Sequence, residues 1–187
     1  MKLTTKLKLL KAVGWVTGPP RGVAFTAADA RPKKLLIFFP LEKELFIQSI
    51  HFLRQLERHP PRNNFHLAIR SDHRAIIPPS SHKTFYYPMS AEHPERIDYQ
   101  VLANKFGNHR FDAVINLEPE INLDLARVMS QVKAAKRIGF AGPGADDLYN
   151  IQIRRQSPTE FTAAYNQILA LCDLGPESDH PDHHLWR

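Results

Sequence analysis

Along the chain, short unbroken apolar blocks alternate with longer stretches in which apolar residues return every three or four positions. Residues 34–39 (KLLIFF) form the first block, continuous enough for a strand covered on both faces. Residues 42–58 then place Phe46, Ile50 and Leu53 on one helical stripe, widened by Leu45, Phe52 and Leu56. Pro60 and Pro61 end that helix, because proline cannot continue the hydrogen-bond ladder. Residues 65–70 (FHLAIR) and 83–87 (KTFYY) predict a second and a third strand. A helix over 94–106 follows, with Ile97, Val101, Leu102 and Phe106 at core spacing. Residues 111–117 (FDAVINL) predict a fourth strand, 121–135 a helix, and 137–140 (RIGF) a fifth strand. Residues 148–153 read as extended, and Ser157-Pro158-Thr159-Glu160 is a capping box that opens the last helix.

Strands alternating with helices imply βαβ units. Right-handed crossovers then lead to an α/β fold, a three-layer Rossmann-like sandwich with a mainly parallel sheet of about five strands. Residues 33–172 form this body. Residues 1–32 form a basic arm in which Leu3, Leu7 and Leu10 repeat at helical spacing between lysines, stopped by Gly18-Pro19-Pro20. That short amphipathic helix either packs on the body or lies on a membrane face. Residues 173–187 are a tail rich in Asp and His, expected to be mobile.

Charge and cysteine content narrow the function classes. The net charge of +6 invites a nucleic-acid partner, yet the cationic residues are scattered and no binding signature accompanies them, so none is expected. The basic arm suits peripheral contact with an anionic membrane instead. A lone cysteine, Cys172, excludes an internal disulfide framework and reads as a buried, inert thiol. No apolar run is long enough to span a bilayer, and Lys11 with Gly18-Pro19-Pro20 breaks what would be the core of a signal peptide. The expected location is the cytoplasm, with the inner membrane surface as an accessory site.

Candidate chemistry gathers where two turns meet. In an open parallel sheet, ligands bind beyond the carboxyl ends of the strands where strand order reverses. If the first and fourth strands are neighbours, Glu42 and Glu44 from one turn approach Asn116, Glu118, Glu120 and Asn122 from the other. Clustered carboxylates can raise one another's pKa and supply a base, or hold a divalent cation; the simpler reading is that acids in a first turn favour the positive end of a helix. The glycine-rich loop at 139–144 fits neither the P-loop nor the dinucleotide spacing and reads as a turn. His180, His183 and His184 with Asp179 and Asp182 form a solvated tail rather than a metal site. The remaining histidines have no serine or cysteine partner in recognisable order, and neither a metal nor a cofactor is expected.

The layout resembles one known family. A basic N-terminal helix, Lys33-Lys34-Leu35-Leu36-Ile37 and a helix ending Phe52-Leu53-Arg54-Gln55-Leu56-Glu57 look like the opening of glycosyltransferase family 9, the lipopolysaccharide heptosyltransferases. Phe111-Asp112-Ala113-Val114-Ile115-Asn116-Leu117, a helix, then Ala135-Lys136-Arg137-Ile138-Gly139-Phe140 resemble a second segment of that family. The resemblance covers about 1–155 and implies the N-terminal, acceptor-side half of a GT-B glycosyltransferase. It implies a saccharide or glycolipid acceptor, a role in cell-envelope glycan assembly, and a partner protein supplying the nucleotide-sugar domain. The family's first turn carries a Gly-Asp pair with the aspartate as proposed base. That pair aligns with Glu44-Leu45, so Glu44 is the catalytic candidate, displaced by one position, and Glu118-Pro119-Glu120 stands where the family has Gln-Gly. The expectation is a family-9-like domain that does not transfer sugar alone. A non-catalytic binding module at the membrane surface is the alternative.

Overall fold

The computed structural model describes residues 2–19, 34–58, 64–77, 80, 82–93, 96–155 and 161–172. Five helices and six strands follow in the order α1 (Leu3–Ala12), β1 (Lys34–Phe38), α2 (Lys43–Glu57), β2 (Asn64–Arg70), β3 (Lys83–Tyr87), α3 (Tyr99–Phe106), β4 (Arg110–Asn116), α4 (Leu123–Gln131), β5 (Lys133–Phe140), β6 (Ile151–Ile153) and α5 (Thr162–Leu171). The strands form one sheet in the order β3-β2-β1-β4-β5-β6, and every neighbouring pair is parallel. This is the doubly wound Rossmann-like sandwich, with six strands rather than about five.

The period-2 geometry of a strand explains why β1 reads as an unbroken apolar run. Leu35, Ile37 and Phe39 face a core shared with α2 and α5, while Leu36 and Phe38 face the opposite core with α1, α3 and α4. Both sets are fully buried, so no polar residue is tolerated on either side. The arm packs on the body: Leu7 of α1 and Val16, four residues past the end of the helix, are both buried in this second core. Its Lys11 also pairs with Asp147 at 2.7 Å.

Three element boundaries differ from expectation. The helix expected over 121–135 ends at Gln131, and β5 starts at Lys133. Around that junction Val132 and Ala134 are buried while Lys133 and Ala135 are exposed, so alternation and pairing with β4 override alanine's helix preference. The helix expected from residue 94 starts at Tyr99, because Asp98 caps it by accepting the Val101 amide at 3.2 Å and Ile97 bridges back to Met89. The extended segment at 148–153 contributes only Ile151–Ile153 to the sheet. A short 3-10 helix, Ser71–Ile76, follows β2 without a sequence expectation. The capping box at 157–160 and the tail at 173–187 lie outside the described residues.

Candidate functional site

The topological switch falls between β1 and β4, and a crevice of about 440 Å³ opens above the carboxyl ends of these two strands. Its walls include Leu41 and Glu42 from the β1–α2 turn, Glu118 and Glu120 from the β4–α4 turn, and Arg155 with Phe161 from the segment between β6 and α5. The sheet order therefore brings together three chain segments that are distant in sequence.

Glu118 is the centre of this arrangement. Only 9% of it is exposed, and its Oε2 accepts the backbone N–H of Leu41 at 2.8 Å. Burial raises its pKa to about 7, opposed by the Leu41 hydrogen bond and reinforced by the carboxylates of Glu42 and Glu120. A carboxyl poised there exchanges protons near neutral pH, and so can accept from or donate to a ligand hydroxyl. The Leu41 carbonyl in turn accepts from Arg70 Nη1 at 3.2 Å, so the turn that lacks glycine is held on both sides by side chains.

The other predicted positions divide. Glu42 and Glu120 line the crevice and are exposed to solvent. Asn122 also lines it, but its Oδ1 caps α4 by accepting the amides of Asp124 at 2.9 Å and Leu125 at 3.1 Å. Asn116 is buried and serves the scaffold: its Nδ2 donates to Tyr149 Oη at 2.8 Å and its Oδ1 accepts the Glu118 amide at 3.1 Å. That second bond orients the turn carrying Glu118. Glu44 is exposed on the first turn of α2 and is not among the residues lining the crevice. Its charge is felt instead at His73, on the far side of α2's start. One helical residue is about 100° of rotation, which separates Glu44 from the crevice wall that Leu45 occupies.

Arg155 and Phe161 were not singled out from the sequence. The Arg155 guanidinium lies 5.2 Å from the Phe161 ring centroid and 5.8 Å from that of Phe140, giving the acidic crevice a cationic wall. Arg154 and Arg155 directly follow the end of β6; residues 148–153 read as extended, and counting them as a sheet strand would have placed both arginines where ligands gather, beyond a strand's carboxyl end.

The glycine loop serves the fold. Gly144 has φ +85° and sits against Leu7 of α1, a backbone conformation and a closeness that suit only glycine. Among the described residues, no group of three or more His, Cys, Asp or Glu side chains is placed to hold a metal ion. No helix among them is long and apolar enough to cross a membrane.

Comparison with protein-family models, curated proteins and solved structures finds no match for the chain.

Proposed function

We propose that this chain is a saccharide-binding domain of glycosyltransferase family 9 type, acting on the acceptor side, and that it transfers sugar only in company with a donor-holding domain. The observation that carries the reading is Glu118: a nearly buried carboxyl with pKa about 7, set beyond the carboxyl ends of β1 and β4 in a crevice with one arginine and an aromatic ring. Sugars suit such a wall, because their hydroxyls exchange hydrogen bonds with carboxyl and guanidinium groups while their C–H faces rest on aromatic rings. The turns contributing to it carry no glycine that would let a backbone close on a diphosphate. The position aligned with the family's aspartate holds Leu45, so the transfer base of that family has no direct counterpart there.

A thermal-shift screen of core saccharides and nucleotide sugars tests this. A ligand at 100 times its dissociation constant adds about 2.7 kcal/mol to stability. The expected result is stabilisation by a saccharide, lost in Glu118→Gln and kept in Glu44→Gln. Turnover of a nucleotide sugar by the chain alone, abolished in Glu44→Gln, would overturn the reading, as would indifference to every saccharide tested.

A second reading concerns location at a cytoplasmic membrane face, and α1 favours it. Leu9, Val13 and Trp15 are each 55% exposed, and Lys2, Lys6 and Lys8 are exposed beside them. The first acidic residue in the sequence is Asp29. An apolar ridge flanked by lysines can rest in the headgroup region of an anionic bilayer while Leu7 keeps the helix docked on the body. Co-sedimentation with anionic vesicles, reduced in the triple variant Leu9→Ser, Val13→Ser, Trp15→Ser, is the expected outcome. Equal pelleting of both proteins, or none with anionic lipid, would remove this second reading.

A further inference from the structure

The opposite edge of the sheet, formed by the amino ends of the strands, carries a second constellation. Lys34 opens β1, Lys83 opens β3, Lys105 lies in the last turn of α3, and His109 precedes β4. All surround His66 on β2. His66 pairs directly with Lys83 in the β2–β3 ladder, and Lys34 lies two positions before Leu36, the β1 partner of His66, so the three share one face. The Phe111 ring forms the floor: Lys34 Nζ is 4.8 Å from its centroid, the His66 ring 5.3 Å and the His109 ring 6.3 Å. Lys105 Nζ sits 5.1 Å over Phe85.

Among the described residues none of these three lysines forms an ion pair. The nearby Asp112 carboxylate accepts the backbone amide of Lys34 at 2.8 Å. The buried Nε2 of His66 has no hydrogen-bond partner. Burial and then the charges of Lys34, Lys83, His109 and Lys105 lower the His66 pKa to about 4. The ring faces favour Lys34 and Lys105 one by one, whereas the mutual repulsion of the gathered ammonium groups is relieved when an anion sits among them.

We propose that Lys34, Lys83 and Lys105, grouped over Phe111 and Phe85 at the amino edge of the sheet, form a binding site for a tetrahedral oxyanion, a phosphoryl or sulfuryl group. Ammonium groups bind such ions as mobile point charges, with the imidazoles of His66 and His109 beside them. This site lies at the opposite end of the strands from the crevice and is independent of what the crevice binds.

His66 reports occupancy without touching the anion. An NMR titration of its ring protons in sulfate and in chloride at equal ionic strength is the test. Sulfate is expected to raise the His66 pKa by about one unit relative to chloride, as an opposite charge nearby does. The double variant Lys34→Gln, Lys83→Gln should lose this difference, whereas Lys133→Gln, on the same edge but on β5, should retain it. At pH 7, titrations with inorganic phosphate and with glycerol 3-phosphate distinguish the source. Tighter binding of the ester assigns the site to an organic phosphate, and equal or weaker binding assigns it to the free ion. Equal His66 pKa values in sulfate and chloride, or a sulfate effect that survives the double variant, would overturn the proposal.

Discussion

Glu118 and Leu41, 77 positions apart in sequence, are joined by a 2.8 Å hydrogen bond from the Leu41 amide to the Glu118 carboxylate. The bond ties together the two turns flanking the topological switch. It also sets a conflict. The amide favours the charged carboxylate, while burial, Glu42 and Glu120 favour the neutral acid, and burial prevails.

Stability should therefore fall as pH rises through neutrality. The Glu118 pKa is about 7 in the folded chain against an ordinary 4.5, so the folded state binds the extra proton between those values. Its contribution is fully present below pH 4.5 and lost as pH passes 7. Glu118→Gln keeps an oxygen acceptor for Leu41 and removes the charge. Above pH 7 it should be more stable than the parent by about 1–3 kcal/mol, with a flatter pH profile across that window, measured by urea denaturation. A variant less stable than the parent at pH 8 would show that the carboxylate is welcome where it lies.

How much of this could be read from residues alone depends on whether a signal was local. The βαβ alternation, the two-sided burial of β1 and the meeting of the β1 and β4 turns follow from apolar pattern and chain handedness. The acids at 42, 118 and 120 were thereby placed at one crevice. What stayed hidden depends on contacts across the fold. Glu44 and Leu45 differ by one step in sequence, and only the helix's rotation decides which of them lines the crevice. Asn116 looks like a ligand group until Tyr149, from a loop beyond β5, occupies its amide. The cluster around His66 draws on five segments, none of which carries a motif.

Gly139 shows why a strand can require a residue that weakens strands. A methyl group there would meet the ring of Tyr149, whose hydroxyl is held by Asn116, so the ring is not free to withdraw. Gly139→Ala should cost about 1–3 kcal/mol through overpacking, despite alanine's better backbone preference. The paired variant Gly139→Ala, Tyr149→Leu should recover part of that loss. Failure of the second change to restore any stability would place the cost in the backbone.

Cys172 closes α5 in the core shared with α2, where burial pushes its thiol up to about 12. At pH 8 almost none of the thiol is then ionised, and the thiolate is the reactive form. A disulfide reagent should modify the native chain at the rate at which α5 opens, and one equivalent should react at once in denaturant. Immediate modification of the native protein at pH 7 would mean that the C-terminal end of α5 is open in solution.

The docking of α1 separates two leucines one half-turn apart. Leu7 is fully buried against the Gly144 turn, whereas Leu9 is 55% exposed on the outer face. If the arm is part of the folded body, Leu7→Ala should cost about 2–5 kcal/mol, the usual loss for a fully buried leucine. Leu9→Ala should stay within about 0.5 kcal/mol of the parent, as surface changes do. The Lys11–Asp147 pair, partly exposed on both sides, should contribute no more than about 1 kcal/mol, so apolar burial rather than charge holds the arm. Denaturation of Leu7→Ala and Lys11→Ala side by side checks this ordering. Two small and equal effects would mean that the arm detaches before the body unfolds, and that α1 is not a structural part of the second core.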